Sequence, residues 1–216
     1  MNCIVTAGPT FEPLDEARRL TNFSTGRLGT ELSNFLVSRG HHVTQFMGQQ
    51  ATYDGERRAQ RVESFTTTAN LRELIHAMSS QNVGAVFHAA AVSDFTFGKV
   101  WSRGAGGELK EIKSRKIPTR DGALLAELLP TPKIIDELRA WYPGAILAGW
   151  KYEVAGKRAD VVLEAERQLT ECVTDACVAN GPAYGEGFGL VTGAKKCEHF
   201  AGMQELFAAL EKLLHA

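Results

Sequence analysis

The chain reads as one α/β domain, residues 1–216, built on a Rossmann-like, doubly wound, mostly parallel sheet with a protruding β-hairpin arm. Three observations carry that reading. Apolar runs of strand length alternate with amphipathic helical segments along the whole sequence. The run GAVFHAAAVSDF at residues 84–95 is nearly continuous in its apolar character, as expected of a strand buried on both faces of a parallel sheet. The first apolar run, residues 3–7, stops at Gly8-Pro9-Thr10, and after a polar insert the chain reaches Ser24-Thr25-Gly26 and a helical pattern.

That opening has the outline of an anion site. Gly8 and Thr10 offer backbone N–H groups at a strand end, and Ser24, Thr25 and Gly26 add the unpaired amides and positive dipole of a helix start. A dinucleotide fingerprint would turn directly from strand to helix through G-x-G-x-x-G. Here residues 11–23 intervene, so a simple dinucleotide turn is not expected. Glu12, Asp15, Arg18, Arg19 and Asn22 in this insert either serve chemistry between two anion-binding ends or belong to a solvated surface loop.

The remaining elements follow in order. Residues 27–39 place Leu28, Leu32, Phe35 and Leu36 at helical spacing, with Gly40 as the residue past the helix end. Residues 42–48 and 61–65 alternate as strands two and three. His41 and His42 mark a strand entry; as metal ligands they lack a third partner at a readable spacing. A helix is predicted from residue 68 or 69 to Met78, with Leu71, Leu74, Ile75 and Met78 on one face. In the apolar strand that follows, Ala89 to Ala91 leave room for a ligand at the carboxyl end. Asp94 just beyond would accept from ribose hydroxyls, face a metal, or cap a turn.

Between residues 96 and 121 the pattern breaks around Gly104, Gly106 and Gly107, and alternation resumes over residues 109–117, which predicts the hairpin arm. Lys113, Arg115 and Lys116 either clamp phosphates or protect an exposed edge strand. Pro130-Thr131-Pro132 opens a helix through Trp141, with Thr131 as its N-cap. Residues 145–150 form a strand ending at Trp150, and a charged helix spans about residues 155–171. A buried strand at 175–180, a hairpin from 188–191 to 197–200 and a final helix bearing Leu206, Leu210 and Leu213 complete the chain. Right-handed crossovers bring the ends at Gly8, Ala91 to Asp94, Trp150 and Asn180 to one edge, where the site is expected.

A content of 44% hydrophobic residues over 216 supports one substantial core. The formal net charge of −1 argues against a general nucleic-acid or membrane-surface binder. No apolar run approaches a membrane span, and Met1 leads straight into a strand, so a cytoplasmic protein is expected. Cys3, Cys172, Cys177 and Cys197 lack C-x-x-C spacing and read as reduced, mostly buried thiols.

Taken together, TAGPTFEPLDEAR at 6–18 with TNFSTG at 21–26, AAAVSD at 89–94, KSRK at 113–116, TPKI at 131–134, GWKYE at 149–153 and VAN at 178–180 resemble, in the same order, the motifs of the phosphopantothenoylcysteine synthetase family. This is the phosphopantothenate–cysteine ligase of coenzyme A biosynthesis. The resemblance implies a homodimer that activates the carboxylate of 4′-phosphopantothenate with CTP or ATP and Mg²⁺. An acyl-nucleotidyl intermediate forms with loss of pyrophosphate, and the cysteine amine then displaces the nucleotide. It further implies that Asn22 orients the acyl intermediate and that Gly8, Thr10, Ser24, Thr25 and Gly26 cradle phosphates. Ala89 and Asp94 would border the nucleotide, Lys113 and Lys116 would meet the triphosphate, Thr131 and Pro132 would join the nucleotide site, and Trp150 would flank the base. Metal ligands are not assigned.

Several positions depart from the family pattern. Thr131 and Lys133 replace an asparagine and an aspartate, the two lysines of the helix after GWKYE correspond to positions near Gln168 and Cys172, and Arg167 is a candidate substitute for one of them. The late GFxxDxN motif is reduced to Gly187-Phe188-Gly189. The nucleotide is therefore left as CTP or ATP. No counterpart of the flavin-dependent decarboxylase half is present, so a stand-alone ligase is expected. The alternatives are a non-catalytic nucleotide-binding relative, which the missing lysines favour, and an NAD(P)-dependent oxidoreductase. The latter calls for an acidic residue at the end of strand two, where Met47-Gly48 stands.

Overall fold

A computed structural model describes residues 1–118 and 122–215. The element that organises it is β1 (Asn2–Ala7), buried from Cys3 onward. It pairs in parallel with β4 (His42–Gly48) on one side and β6 (Ala85–His88) on the other. Beyond β4 lies β5 (Arg61–Phe65), and beyond β6 lie β10 (Ile146–Tyr152) and β11 (Ala176–Asn180), all parallel. The hairpin β12 (Phe188–Gly193) and β13 (Lys196–Phe200) closes that edge antiparallel, giving the order β13-β12-β11-β10-β6-β1-β4-β5. Chain direction of winding reverses between β1 and β6, the place where open α/β sheets bind ligands.

Helices cover both faces. On one, α1 (Arg27–Ser38) and α5 (Met203–Lys212) bury Leu32, Leu36, Leu206, Phe207 and Leu210 against Val5, Phe87 and Val178. On the other, α2 (Thr68–Ala77) and α3 (Ile134–Trp141) bury Leu71, Ile75, Ile134 and Leu138 against Ile4, Val86 and Leu147, while α4 (Arg158–Glu171) packs Val161 and Ala165 on Cys177 and Ala179. Each fully buried large side chain contributes about 1.5–3 kcal/mol. Cys3, Cys172 and Cys177 are buried and Cys197 is exposed, all as free thiols. None of the described helices is long and apolar enough to cross a membrane.

The predicted α/β class and most elements stand, with four corrections. The insert is not a bare loop: β2 (Phe11–Pro13) and β3 (Arg19–Thr21) pair as a small hairpin. The sheet strand in the apolar run ends at His88, because residues 89–94 bond to the segment after β1 instead of to a neighbouring strand. Thr131 does not cap α3: its hydroxyl donates to Ser93 O, and Lys133 occupies the N-cap position without a side-chain hydrogen bond. Finally, the arm is three-stranded, with β7 (Phe95–Arg103) at its centre between β8 (Leu109–Glu111) and β9 (Ala123–Pro130). Alternation over 112–117 continues no strand, and the end of the predicted 96–121 segment, residues 119–121, lies outside the described residues.

α1 rests on β1 through Gly29, where a Cβ would stand 2.6 Å from Ala7 Cβ and 2.9 Å from Thr6 O. Both neighbours are held by the sheet, so the helix itself must lift. Gly29→Ala is expected to lower the unfolding free energy by about 1–3 kcal/mol, the usual range for overpacking. An unchanged urea midpoint would show that the helix accommodates the methyl group.

Candidate functional site

A cleft of about 890 Å³ opens at the carboxyl edge of the parallel strands, where the winding reverses. Its floor is the segment 89–94 after β6, its walls are the start of α3, the end of β10 and one side of α4, and the tip of the insert reaches its mouth. The floor is fixed by hydrogen bonds rather than by strand pairing. Thr10 N–H donates to Ala91 O at 3.1 Å and Ala91 N–H to Gly8 O at 3.0 Å. Thr10 Oγ1 accepts from Ser93 N–H at 2.8 Å and lies 3.0 Å from Ser93 Oγ. One residue deeper, Ala90 N–H donates to Thr6 Oγ1 at 3.0 Å, and that hydroxyl lies 3.0 Å from His88 Nδ1.

Of the residues singled out in the sequence, Asn22, Ser24, Ala89, Asp94, Thr131, Pro132 and Trp150 line this cleft together. Asn22 is exposed, and its Nδ2 lies 3.3 Å from both Ala91 O and Val92 O, which holds the amide over the floor. Asp94 is exposed, with its backbone carbonyl tied to Thr131 N–H at 2.9 Å. Trp150 is half-buried, and its Nε1 has no partner among the described residues.

The other predicted residues lie elsewhere. Thr10 spends both its N–H and its hydroxyl on the floor of the cleft and is fully buried, outside the cleft lining. Gly8 has φ +80°, and a Cβ there would stand 2.8 Å from Ala51 Cβ, so the glycine serves close backbone packing. Gly26 is the left-handed N-cap of α1, and Thr25 Oγ1 accepts from Arg27 N–H at 3.3 Å; both are beside the cleft, not in its lining. Lys113 and Lys116 are exposed in the segment after β8, outside the lining. That segment sits on the insert instead: Glu16 N–H donates to Arg115 O at 3.0 Å, and Ile117 N–H to Asp15 Oδ2 at 3.0 Å.

The insert's acidic residues are structural. Buried Glu12 accepts from Thr68 N–H at 2.9 Å at the start of α2. The Arg18 guanidinium, joined by the N–H groups of Ile117, Ala17 and Arg18, holds the Asp15 carboxyl well below the usual carboxylate range. Arg19 lies over the Phe11 ring at 4.6 Å.

Of the cations of the cleft, the sequence singled out Arg167 as a stand-in for a family lysine but did not select Lys133 or Lys151 as site residues. Lys133 is exposed at the start of α3 and forms no ion pair among the described residues. Lys151 lies 3.5 Å from Glu153, and Arg167 lies 2.7 Å from Glu164. Cys172 also lines the cleft; burial, with Asp136 accepting its S–H at 3.0 Å, pushes the thiol up to about 12. Gln168 turns its amide to Cys177 Sγ at 3.3 Å, into space that only Gly149 leaves open.

Residues 1–213 match the family described as the DNA/pantothenate metabolism flavoprotein C-terminal domain. The chain belongs to that family. The bifunctional coenzyme A biosynthesis protein CoaBC of Thermococcus kodakarensis is 31% identical over 181 residues, covering 82% of this chain and 40% of the relative. The chain thus spans about two-fifths of the length of the curated relatives it matches. The crystal structure of the DNA/pantothenate metabolism flavoprotein from Streptococcus pneumoniae is similar with a TM-score of 0.85 and 25% identity, covering 100% of this chain and 98% of that one. A Cab2 mutant in complex with phosphopantothenate-cysteine shares the fold, with a TM-score of 0.72, 17% identity and coverage of 99% and 87%. The family domain therefore accounts for the whole α/β sheet described above, arm included.

His88 is a cleft-lining member of this domain that the sequence reading passed over as strand interior. Desolvation lowers its pKa to about 4, and its Nδ1 shares a hydrogen bond of 3.0 Å with Thr6 Oγ1, so the ring is neutral near pH 7. Since an unfolded histidine titrates near ~6.5, the unfolded chain takes up a proton between about pH 6.5 and 4 that the folded chain does not, and stability falls as the pH drops through that window by up to roughly 3 kcal/mol. His88→Asn preserves an acceptor for Thr6 and removes the titration. Its urea midpoint should decline less than the parent's between those pH values; parallel curves would show that the folded ring titrates as the unfolded one does.

Proposed function

We propose that this chain joins 4′-phosphopantothenate to L-cysteine at the expense of CTP or ATP, through an acyl-nucleotidyl intermediate. The observation that carries the reading is the cleft at the winding reversal. There an amide fixed over the floor, Asn22, faces the exposed carboxylate Asp94 and a wall bearing Lys133, Lys151 and Arg167. Family membership and the CoaBC relatives support it, and a neighbour of the same fold, Cab2, was captured with phosphopantothenate-cysteine.

The chemistry suits these groups. A carboxylate is a poor electrophile, so attack on the α-phosphate must replace pyrophosphate before an amine can react with the acyl carbon. Negative charge grows first on the phosphates, where Lys133, Lys151 and Arg167 offset it, and then on the acyl intermediate, which Asn22 would orient through its Oδ1, its Nδ2 being taken up by Ala91 O and Val92 O. The bonds from Asn22 to Ala91 and Val92 keep that amide oriented before substrate arrives. Mg²⁺ bound with the triphosphate would neutralise phosphate charge; the exposed Asp94 carboxylate fits the usual pattern of one or two protein carboxylates completed by phosphate oxygens. Phe23, fully exposed at the mouth of the cleft, and Trp150 supply apolar surface for a base.

Neutral Gln168 and Cys172 favour a second reading, a nucleotide binder without turnover. Incubation with phosphopantothenate, cysteine, Mg²⁺ and either CTP or ATP separates the two: pyrophosphate release is expected with at least one nucleotide, and its absence with both would sink the ligase reading. Asn22→Ala should still bind nucleotide but lose product formation by about 100-fold, the order expected when a group that positions the reacting intermediate is removed. Unaltered turnover would take Asn22 out of the mechanism.

We also propose a homodimer formed through the arm. β9 exposes leucine on both of its faces: Leu124 and Leu128 on one, Leu125 and Leu129 on the other, each between 38% and 48% exposed. A second copy would cover them. Paired Leu125→Lys and Leu128→Lys changes should shift the mass measured by light scattering from dimer to monomer; a monomeric parent chain would refute the proposal.

A further inference from the structure

The edge of the sheet opposite the cleft carries a second group of metal-ligating side chains, assembled from the two ends of the fold. His41 follows Gly40 in the turn between α1 and β4 and is only 6% exposed, yet neither of its ring nitrogens has a hydrogen-bond partner among the described residues. Glu211, buried in the last turn of α5, and His215, one turn further on in the 3₁₀ segment Leu213–His215, face it. Glu211 Oε1 lies 3.0 Å from His215 Nε2 and 3.6 Å from His41 Nε2. One ligand atom from each of the three residues falls within 4.8 Å of the others.

The two spacings to Glu211 are those of ligands around one ion, and the two imidazoles lie close enough to join them. Tetrahedral Zn²⁺ at about 2.0–2.1 Å from nitrogen or oxygen holds its ligand atoms roughly 3.3 Å apart, between the two distances found here. A buried imidazole without a partner is costly, and a metal would satisfy it. Arg39 is the competing cation, with Nε 3.9 Å from Glu211 Oε1, but its side chain is 56% exposed and free to turn to solvent. No third partner for His41 stands at a readable spacing because Glu211 and His215 come from the far end of the chain; the packing of α5 on α1 supplies them.

We infer that His41, Glu211 and His215 form a Zn²⁺ site, completed by water, that clamps the C-terminal helix to the turn entering β4. Two imidazoles and one carboxylate favour zinc over Mg²⁺ or Ca²⁺, which prefer all-oxygen sets. The site lies at the amino ends of the strands, away from the proposed ligase chemistry, and acts on stability.

Chelator-stripped protein titrated calorimetrically with ZnCl₂ should bind one ion per chain at this site and gain thermal stability. Co²⁺ in place of zinc should give visible d–d bands of a four-coordinate nitrogen–oxygen site without thiolate charge transfer. His215→Ala, at an exposed position, and Glu211→Gln should each weaken Zn²⁺ binding by about 100-fold. No Zn²⁺ binding, binding unaffected by both variants, or a thiolate band assigning the metal to cysteine would each overturn the inference.

Discussion

The cleft depends on a short polar stitch between two chain segments that leave the sheet side by side. Thr10 gives its N–H to Ala91 and takes that of Ser93 on its hydroxyl, Ala91 returns a bond to Gly8, and Thr6 receives Ala90 one step below. A typical bond of this kind contributes about 1 kcal/mol net, but leaving one of these buried groups unpaired costs about 1–3 kcal/mol. The stitch is therefore held as a unit. Everything above it inherits the geometry: Asn22 docks on the carbonyls of Ala91 and Val92, Thr131 docks on Ser93 and Asp94, and β7 begins at the next residue.

This explains why the opening motif was legible in part. The sequence places Gly8, Thr10 and Asn22 in one pattern, and they do meet the same loop, but they do so with different duties. Thr10 is a buried threonine whose acceptors are protein groups, whereas Asn22 is exposed and leaves its carbonyl oxygen toward the cleft. Residue type cannot separate these duties, because a hydroxyl that binds phosphate and one that binds a neighbouring amide have the same chemistry. Burial decides, and burial here comes from strands far apart in sequence. The same holds for Glu12 and Asp15: carboxylates that look reactive in a polar insert are the pins that fasten it to α2 and to residues 115–117.

The arm was legible at its glycine turn and illegible at β9. The segment ALLAELLP is composed of strong helix formers with no polar alternation, so neither period appears in it. Its conformation is imposed by pairing with β7, from Phe95 opposite Pro130 to Arg103 opposite Ala123. A strand held by its ladder to β7 and by Glu127 on Lys99 N–H, with leucine still partly exposed on both faces, has apolar surface left to cover, which is the physical case for the proposed partner copy.

The cations tell a related story about how a charge requirement can survive the loss of particular residues. Gln168 and Cys172 present neutral groups, one folded inward against Gly149 and the other a thiol that burial keeps protonated. Lys133, Lys151 and Arg167 reach the same cleft from α3, β10 and α4. Charge stabilisation of a phosphate does not need one fixed donor geometry when lysine supplies it. Base recognition is different, because it needs directional donors and acceptors at set positions. Lys133, Lys151 and Arg167 share the cleft with Glu153, Glu164 and Glu171, so on the proposed ligase reading the base of the triphosphate would be distinguished by the groups beside Trp150 and Asn180 rather than by these cations.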